Sequence, residues 1–174
     1  MSILKGERLI LRPIERKDLP SLNKWKNTEE VYQNLGGGFM PVSIDIQEKW
    51  MDSLMDTTGN NKRFIMEDFD GKAIGMIGLY NINWIHRTCE WGIFIGEPSE
   101  QGKGYGPEAY NLLEDFARRY CNLRKIKALV VADNDKITKT CDRQGFIKAG
   151  ELKEERFING EYHSVYILEK IIAP

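Results

Sequence analysis

The sequence predicts a single α/β domain: a mixed, mostly antiparallel sheet with a central parallel strand pair and flanking helices. Two patterns carry this expectation. The apolar run Trp91-Gly92-Ile93-Phe94-Ile95 leads through a glycine-rich loop into a helical pattern and then into a second apolar run, Lys125 to Ala132. Strand, helix, strand in that order calls for a parallel crossover. Asp70-Gly71 and Asn159-Gly160 each lie between strand-like segments, as hairpin turns do.

Each element follows from local chemistry. Arg8 to Arg12 alternates polar and apolar residues as a half-buried strand does, and Pro13 ends it. Asp18 is placed to cap a helix carrying Leu19, Leu22 and Trp25 on one face. Ser43 is placed to cap another carrying Ile46, Trp50, Met51, Leu54 and Met55. Arg63 to Phe69 and Lys72 to Tyr80 flank the Asp70-Gly71 turn, and Thr88 to Ile95 supplies the next strand of an antiparallel meander. A helix opens at Pro107, where a missing N–H costs nothing, and runs to about Tyr120 with Ala109, Leu112, Leu113, Phe116 and Ala117 on one side. A short helix from Asp135 to Arg143 stops at a C-cap glycine, Gly145, and Phe146 starts the last hairpin.

Composition narrows the function classes. The 174 residues suit one domain with one core, residues 1–174, and no repeat or linker divides them. Charged residues are 29% of the chain and nearly cancel to a net −1, so nothing global favours a nucleic-acid backbone or an anionic membrane. No apolar run nears the ~20 residues that span a bilayer, and Met1 to Leu11 lacks the order of a signal peptide, so a cytoplasmic chain is expected. Cys89, Cys121 and Cys141 are odd in number and widely spaced, and His86 and His163 are the only histidines, which argues against a disulfide framework or a metal site.

The chemistry-bearing motif is Gln101-Gly102-Lys103-Gly104-Tyr105-Gly106. Glycine at every second position strips side chains from a loop that feeds a helix N-terminus, and leaves backbone N–H groups facing any anion that arrives. The spacing is neither the dinucleotide fingerprint nor the nucleotide loop ending Gly-Lys-Ser/Thr, because Lys103 is followed by Gly104. Without a ligand, the same residues would be a plain glycine-rich turn.

Strand, Gln-x-x-Gly-x-Gly, helix, strand, then Asn134 and a helix ending at Gly145-Phe146 resembles the GNAT superfamily of acetyl-CoA-dependent N-acetyltransferases. The likeness runs from the Arg-Leu-Ile-Leu-Arg-Pro opening at Arg8 to the terminal hairpin. Within the superfamily, Asn83 to Arg87, Asn134-Asp135-Lys136 and Phe157 to Tyr162 are similar to the spermidine and ribosomal-protein N-acetyltransferases.

The resemblance implies acetyl-CoA as co-substrate and no metal. Gln101, Gly102, Lys103, Gly104, Tyr105 and Gly106 would bind the pyrophosphate, the peptide groups of Ile93, Phe94 and Ile95 would pair with the pantetheine arm, and Asn134 would hydrogen-bond that arm or cap its helix. It also implies direct attack of a primary amine on the thioester in a ternary complex. An amine of pKa ~10.4 must lose a proton and a thiolate near ~8.5 must gain one. Glu90, on the strand face shared with Gly92 and Phe94, is the candidate base, or else a structural carboxylate. Cys141 stands where the family has an acid tyrosine; the thiol could donate the proton, relay the acetyl group or fill space.

The acceptor is the open question. Tyr32, Phe39, Met40 and Trp84, with His86 and Arg87, are the candidate contacts. The segment Tyr32 to Ile44 holds Gly36-Gly37-Gly38 and no carboxylate, whereas a polyamine calls for several, so an amino sugar or a peptide amine stands beside it. The family is often dimeric or larger, which implies a homodimer or higher homo-oligomer. The alternatives are a coenzyme-binding regulator or inactive homologue and, more remotely, a nucleic-acid module using the loop for phosphates.

Overall fold

The computed structural model describes residues 4–174. Seven strands form one sheet in the order β1-β2-β3-β4-β5-β7-β6. They are β1 (Leu9–Pro13), β2 (Lys62–Asp68), β3 (Ala73–Asn83), β4 (Thr88–Ile95), β5 (Lys125–Val131), β6 (Ile147–Ile158) and β7 (Glu161–Ile171). Every neighbouring pair is antiparallel except β4 and β5. Five α-helices accompany them: α1 (Leu19–Lys26), α2 (Glu29–Tyr32), α3 (Ile44–Met55), α4 (Tyr105–Arg119) and α5 (Asp135–Arg143).

Strand alternation sorts side chains onto the two faces of the sheet. Phe64 and Met66 of β2, Ile77 and Leu79 of β3, Trp91 of β4 and Ile126 and Ala128 of β5 pack with Ala109, Tyr110, Leu113 and Ala117 of α4. Ile65, Met76 and Phe94 project from the opposite face and pack with Leu22 and Trp25 of α1, Val31 of α2 and Met51 of α3. Each face thus has its own core. The hairpin at Asn159 and Gly160 has positive φ at both central residues, 47° and 85°, as a two-residue turn matched to strand twist requires.

Several local expectations shift by a residue or a face. The helix expected at Pro107 starts two residues earlier, with Gly104 as its N-cap in the left-handed region (φ 82°). Ser43 caps α3 as its chemistry suggests, its hydroxyl accepting from the Ile46 N–H at 3.2 Å. On α3, however, Ile46 and Trp50 are exposed, while Gln47 and Met51 are buried. Asp18 does not use its side chain to cap α1. Its carboxylate takes both Arg12 terminal nitrogens at 2.8 Å and the Glu15 N–H at 2.8 Å, while Arg12 also pairs with Glu67. A charge buried this deeply must find its counter-charge, and that demand outranks capping.

Candidate active site

The parallel pair β4 and β5 is joined only at its start. Thr88, Cys89 and Glu90 pair with Lys125, Ile126 and Lys127, and among the described residues no further rung links the strands. Beyond Glu90 they diverge, and the backbone of Trp91 to Phe94 on one side and Ala128 to Val131 on the other lines a cleft of about 570 Å³. Alternate residues of β4 turn their N–H and C=O groups toward this gap; Ile93 is in that set, whereas the Phe94 carbonyl lies against Gly75 of β3, although Phe94 also lines the cleft. Ile95, the last residue of β4, pairs with Gly75.

The glycine-rich loop leads directly into α4. Gly102 and Gly104 have φ of 75° and 82°, a region closed to most side chains. Arg8, from the chain just before β1, fixes the loop from behind: its guanidinium donates to the carbonyls of Lys103 and of Gly104, the latter at 2.9 Å. In a trans peptide the carbonyl and the next N–H point opposite ways. Tying down those two carbonyls therefore turns the N–H groups of Gly104 and Tyr105 away from Arg8, alongside the unpaired donors of the first helical turn. Arg8 is held in turn by Glu108 (2.9 Å) and lies 5.3 Å from the Tyr105 ring centroid. A Cβ on Gly104 would come within 3.2 Å of Arg8, and one on Gly106 within 3.9 Å of Ile93, so the loop adjoins the strand that lines the cleft. Lys103 is paired with Glu100 at 3.0 Å, and Gln101 is exposed. These bare donors at a helix N-terminus fit a diphosphate.

On the cleft floor, Glu90 is half-buried on the face shared with Gly92 and Phe94, and it has no ion pair among the described residues. Tyr80 lies opposite Glu90 in the ladder, and its ring rests beside Gly78 and Gly92, where a Cβ would come within 3.0 and 3.4 Å. Burial pushes the Tyr80 hydroxyl above its usual range, although Arg63 bonds it and opposes the shift. Tyr32 also lines the cleft; burial pushes it up to about 12. Both phenols therefore stay protonated at neutral pH.

The other expected residues divide. Asn134 lines the cleft and also caps α5, accepting from the Ile137 N–H at 3.4 Å. Cys141, one turn beyond Ile137, is fully buried with Tyr110 and Phe146 in the core, where burial pushes its thiol up to about 11. It does not line the cleft, and neither do Phe39, Met40 and Trp84. Trp84 is about half exposed, with its indole N–H on Asn60 at 3.1 Å. His86 is exposed, and Arg87 turns to Asn122. Sequence reasoning missed Arg8, Arg63, Tyr80 and Arg156, because the contacts of Arg8 span about a hundred residues and those of Arg156 span 122. Only strand alternation, which places Tyr80 on the Glu90 face, could have found one of them.

The model of the acetyltransferase (GNAT) domain matches residues 8–147. The chain belongs to the GNAT acetyltransferase family. Acetyl-CoA as acyl donor goes with that membership, and the hairpin β6–β7, mostly beyond the matched region, completes the sheet beside β5. This GNAT chain is 33% identical over 167 residues to a spermidine N(1)-acetyltransferase of Vibrio cholerae, covering 94% of this chain and 95% of that protein. It is 32% identical to the Escherichia coli K12 enzyme of the same name, covering 88% and 81%. The crystal structure of the Vibrio cholerae spermidine N-acetyltransferase with CoA and spermine superposes with a TM-score of 0.87 at 32% identity, over 95% of this chain and 96% of that one.

Proposed function

We propose that this GNAT enzyme acetylates the primary amine of a small molecule or peptide, with donor and acceptor bound together in the cleft between β4 and β5. The observation that carries the reading is the opened parallel pair ending beside a glycine-built helix N-terminus, with Glu90 at the point of divergence. The loop amides from Gly102 to Gly106 hold the diphosphate, the strand edge at Ile93, Phe94 and Ile95 holds the amide-bearing arm, and Asn134 adds a side-chain bond. Acetyl-CoA supplies an activated acetyl thioester. Glu90 takes the proton that the ammonium group loses, directly or through a water, so that the nitrogen can form its bond to carbon. The departing sulfur then needs a proton, and Tyr80, protonated in the cleft and bonded by Arg63, is placed to give it. Cys141 packs the core behind α5.

The relatives' printed substrates make polyamines the first acceptors to assay, with amino sugars and N-terminal peptides beside them. No described helix is long and apolar enough to cross a membrane. A cytoplasmic setting fits three free, buried cysteines. A homo-oligomer is supported by the exposed ring pair Phe157 and Tyr162, 5.0 Å apart on the last hairpin.

The test is release of free thiol from acetyl-CoA in the presence of spermidine, glucosamine and short peptides. Amine-dependent release, with the acetylated amine found by mass spectrometry, is expected. Tight acetyl-CoA binding without release on the whole panel would instead identify a regulator.

A further inference from the structure

The cleft carries charges of the wrong sign for an acceptor that is wholly cationic. Its lining includes two guanidinium groups, Arg63 and Arg156, against one carboxylate, Glu90. Arg156 is half-buried and has no ion pair among the described residues; a single bond from its Nη1 to the Asn34 carbonyl (2.8 Å) holds it in place. Its neighbour in the chain, Glu155, does not pair with it. An arginine carries five donors, so most of this fork is unspent. The lost hydration lowers its pKa from the usual arginine range, and the charge of nearby Glu155 offsets that only in part.

The triple glycine acquires a use here. The Nη2 of Arg156 lies 3.6 Å from where a Cβ on Gly36 would stand, and a Cβ on Gly37 would meet nothing within 4 Å. Bare backbone thus leaves the fork open to the main cleft, whose one carboxylate is Glu90, and to a smaller one of about 220 Å³ where Glu155 also lies. Arg63, on the same side of the sheet as Tyr80, adds a second positive charge to the cleft wall.

We propose that Arg156, with Arg63 lining the same cleft, forms a subsite for an anionic oxygen group, so that the favoured acceptor is an amine that also bears a carboxylate or a phosphate. The amine end meets Glu90 and the anionic end meets the Arg156 fork, whose planar geometry suits two parallel bonds to either group. This rests on the acetyl-transfer reading above and adds the acceptor's second recognition element.

Paired acceptors that differ only in the anion test it by thiol release. β-Alanine and γ-aminobutyrate are compared with their amides, phosphoethanolamine with ethanolamine, and spermidine serves as the wholly cationic arm. In the wild-type protein at least one charged member should exceed its neutral partner in kcat/KM by roughly 10- to 100-fold, mainly through KM. The carboxylate and phosphate arms show which group the site takes. Arg156→Gln should bring that ratio close to one, and Arg156→Lys should keep part of it, with the acetyl-CoA dissociation constant unchanged in both. Neutral amines or spermidine matching the charged members in the wild type, or a ratio that survives Arg156→Gln, would overturn the subsite. If Arg156→Gln fails to fold, the wild-type ratios decide alone. If no amine is acetylated, calorimetry with N-acetyl-β-alanine and its amide separates the two readings. A preference for the acid that Arg156→Gln abolishes keeps the subsite and sinks the transfer reading; no preference sinks the subsite.

Discussion

Of Tyr80 and Cys141, it is Tyr80 that lines the cleft. Counting along the chain puts Cys141 where an acid belongs, but the fully buried side chain sits among Tyr110 and Phe146, away from the cleft. The cleft hydroxyl opposite Glu90 comes instead from Tyr80, seated where Gly78 and Gly92 leave no Cβ in its way. Two substitutions separate these roles. Cys141→Ala should cost about 1–2 kcal/mol of stability through a small cavity, read as a lower denaturation midpoint, and leave kcat within about twofold. Tyr80→Phe should lower kcat by about 10²- to 10⁴-fold while KM for acetyl-CoA holds. A large fall in kcat for the alanine variant, with none for phenylalanine, would return the acid role to the thiol.

The loop and helix at the head of α4 show how far local sequence reaches. The alternating glycines and the first-turn proline made an anion cradle legible, because positive φ and unpaired donors are properties of neighbouring residues. The hairpin turns and the α5 cap at Asn134 were legible for the same reason. What no window of sequence contains is Arg8, which reaches the loop from the far end of the chain and aims its amides by holding the carbonyls between them. The cleft wall opposite was only partly legible. Phe39 and Met40 are close to Tyr32 in sequence, yet only Tyr32 turns into the cleft, where its ring lies 5.2 Å from Phe94; the cleft's cations come from β2 and β6.

Across the chain, apolar alternation, turn residues and the strand–helix–strand succession made the antiparallel meander, the parallel pair and the last hairpin readable, whereas the buried ion triad linking β1, the turn before α1 and β2 was not. Arg12 is 13% and Asp18 4% exposed at their side chains, so the pair is screened little by solvent. Burial alone would raise the Asp18 carboxyl, but the Arg12 guanidinium and the Glu15 N–H together hold it below its usual value. A carboxyl with a depressed folded pKa stabilises the fold above its unfolded value of ~3.9, and that contribution is lost as pH falls through the lower folded value. Asp18→Asn should therefore cost about 3–5 kcal/mol near neutral pH by leaving Arg12 short of a partner. The gap between variant and wild type should narrow as pH falls from ~5 toward ~2 in denaturant melts. A gap that stays constant over that range would remove Asp18 from the acid sensitivity.

The proposed grip of bare main-chain donors on the diphosphate of acetyl-CoA is measured by titration calorimetry of acetyl-CoA into wild-type protein and Gly104→Val. A valine there meets both a left-handed φ of 82° and the Arg8 guanidinium. Saturable binding at one site per chain, weakened roughly 10-fold or more in the folded variant, is the expected result. No heat of binding in the wild type, or equal affinity in the two proteins, would contradict it.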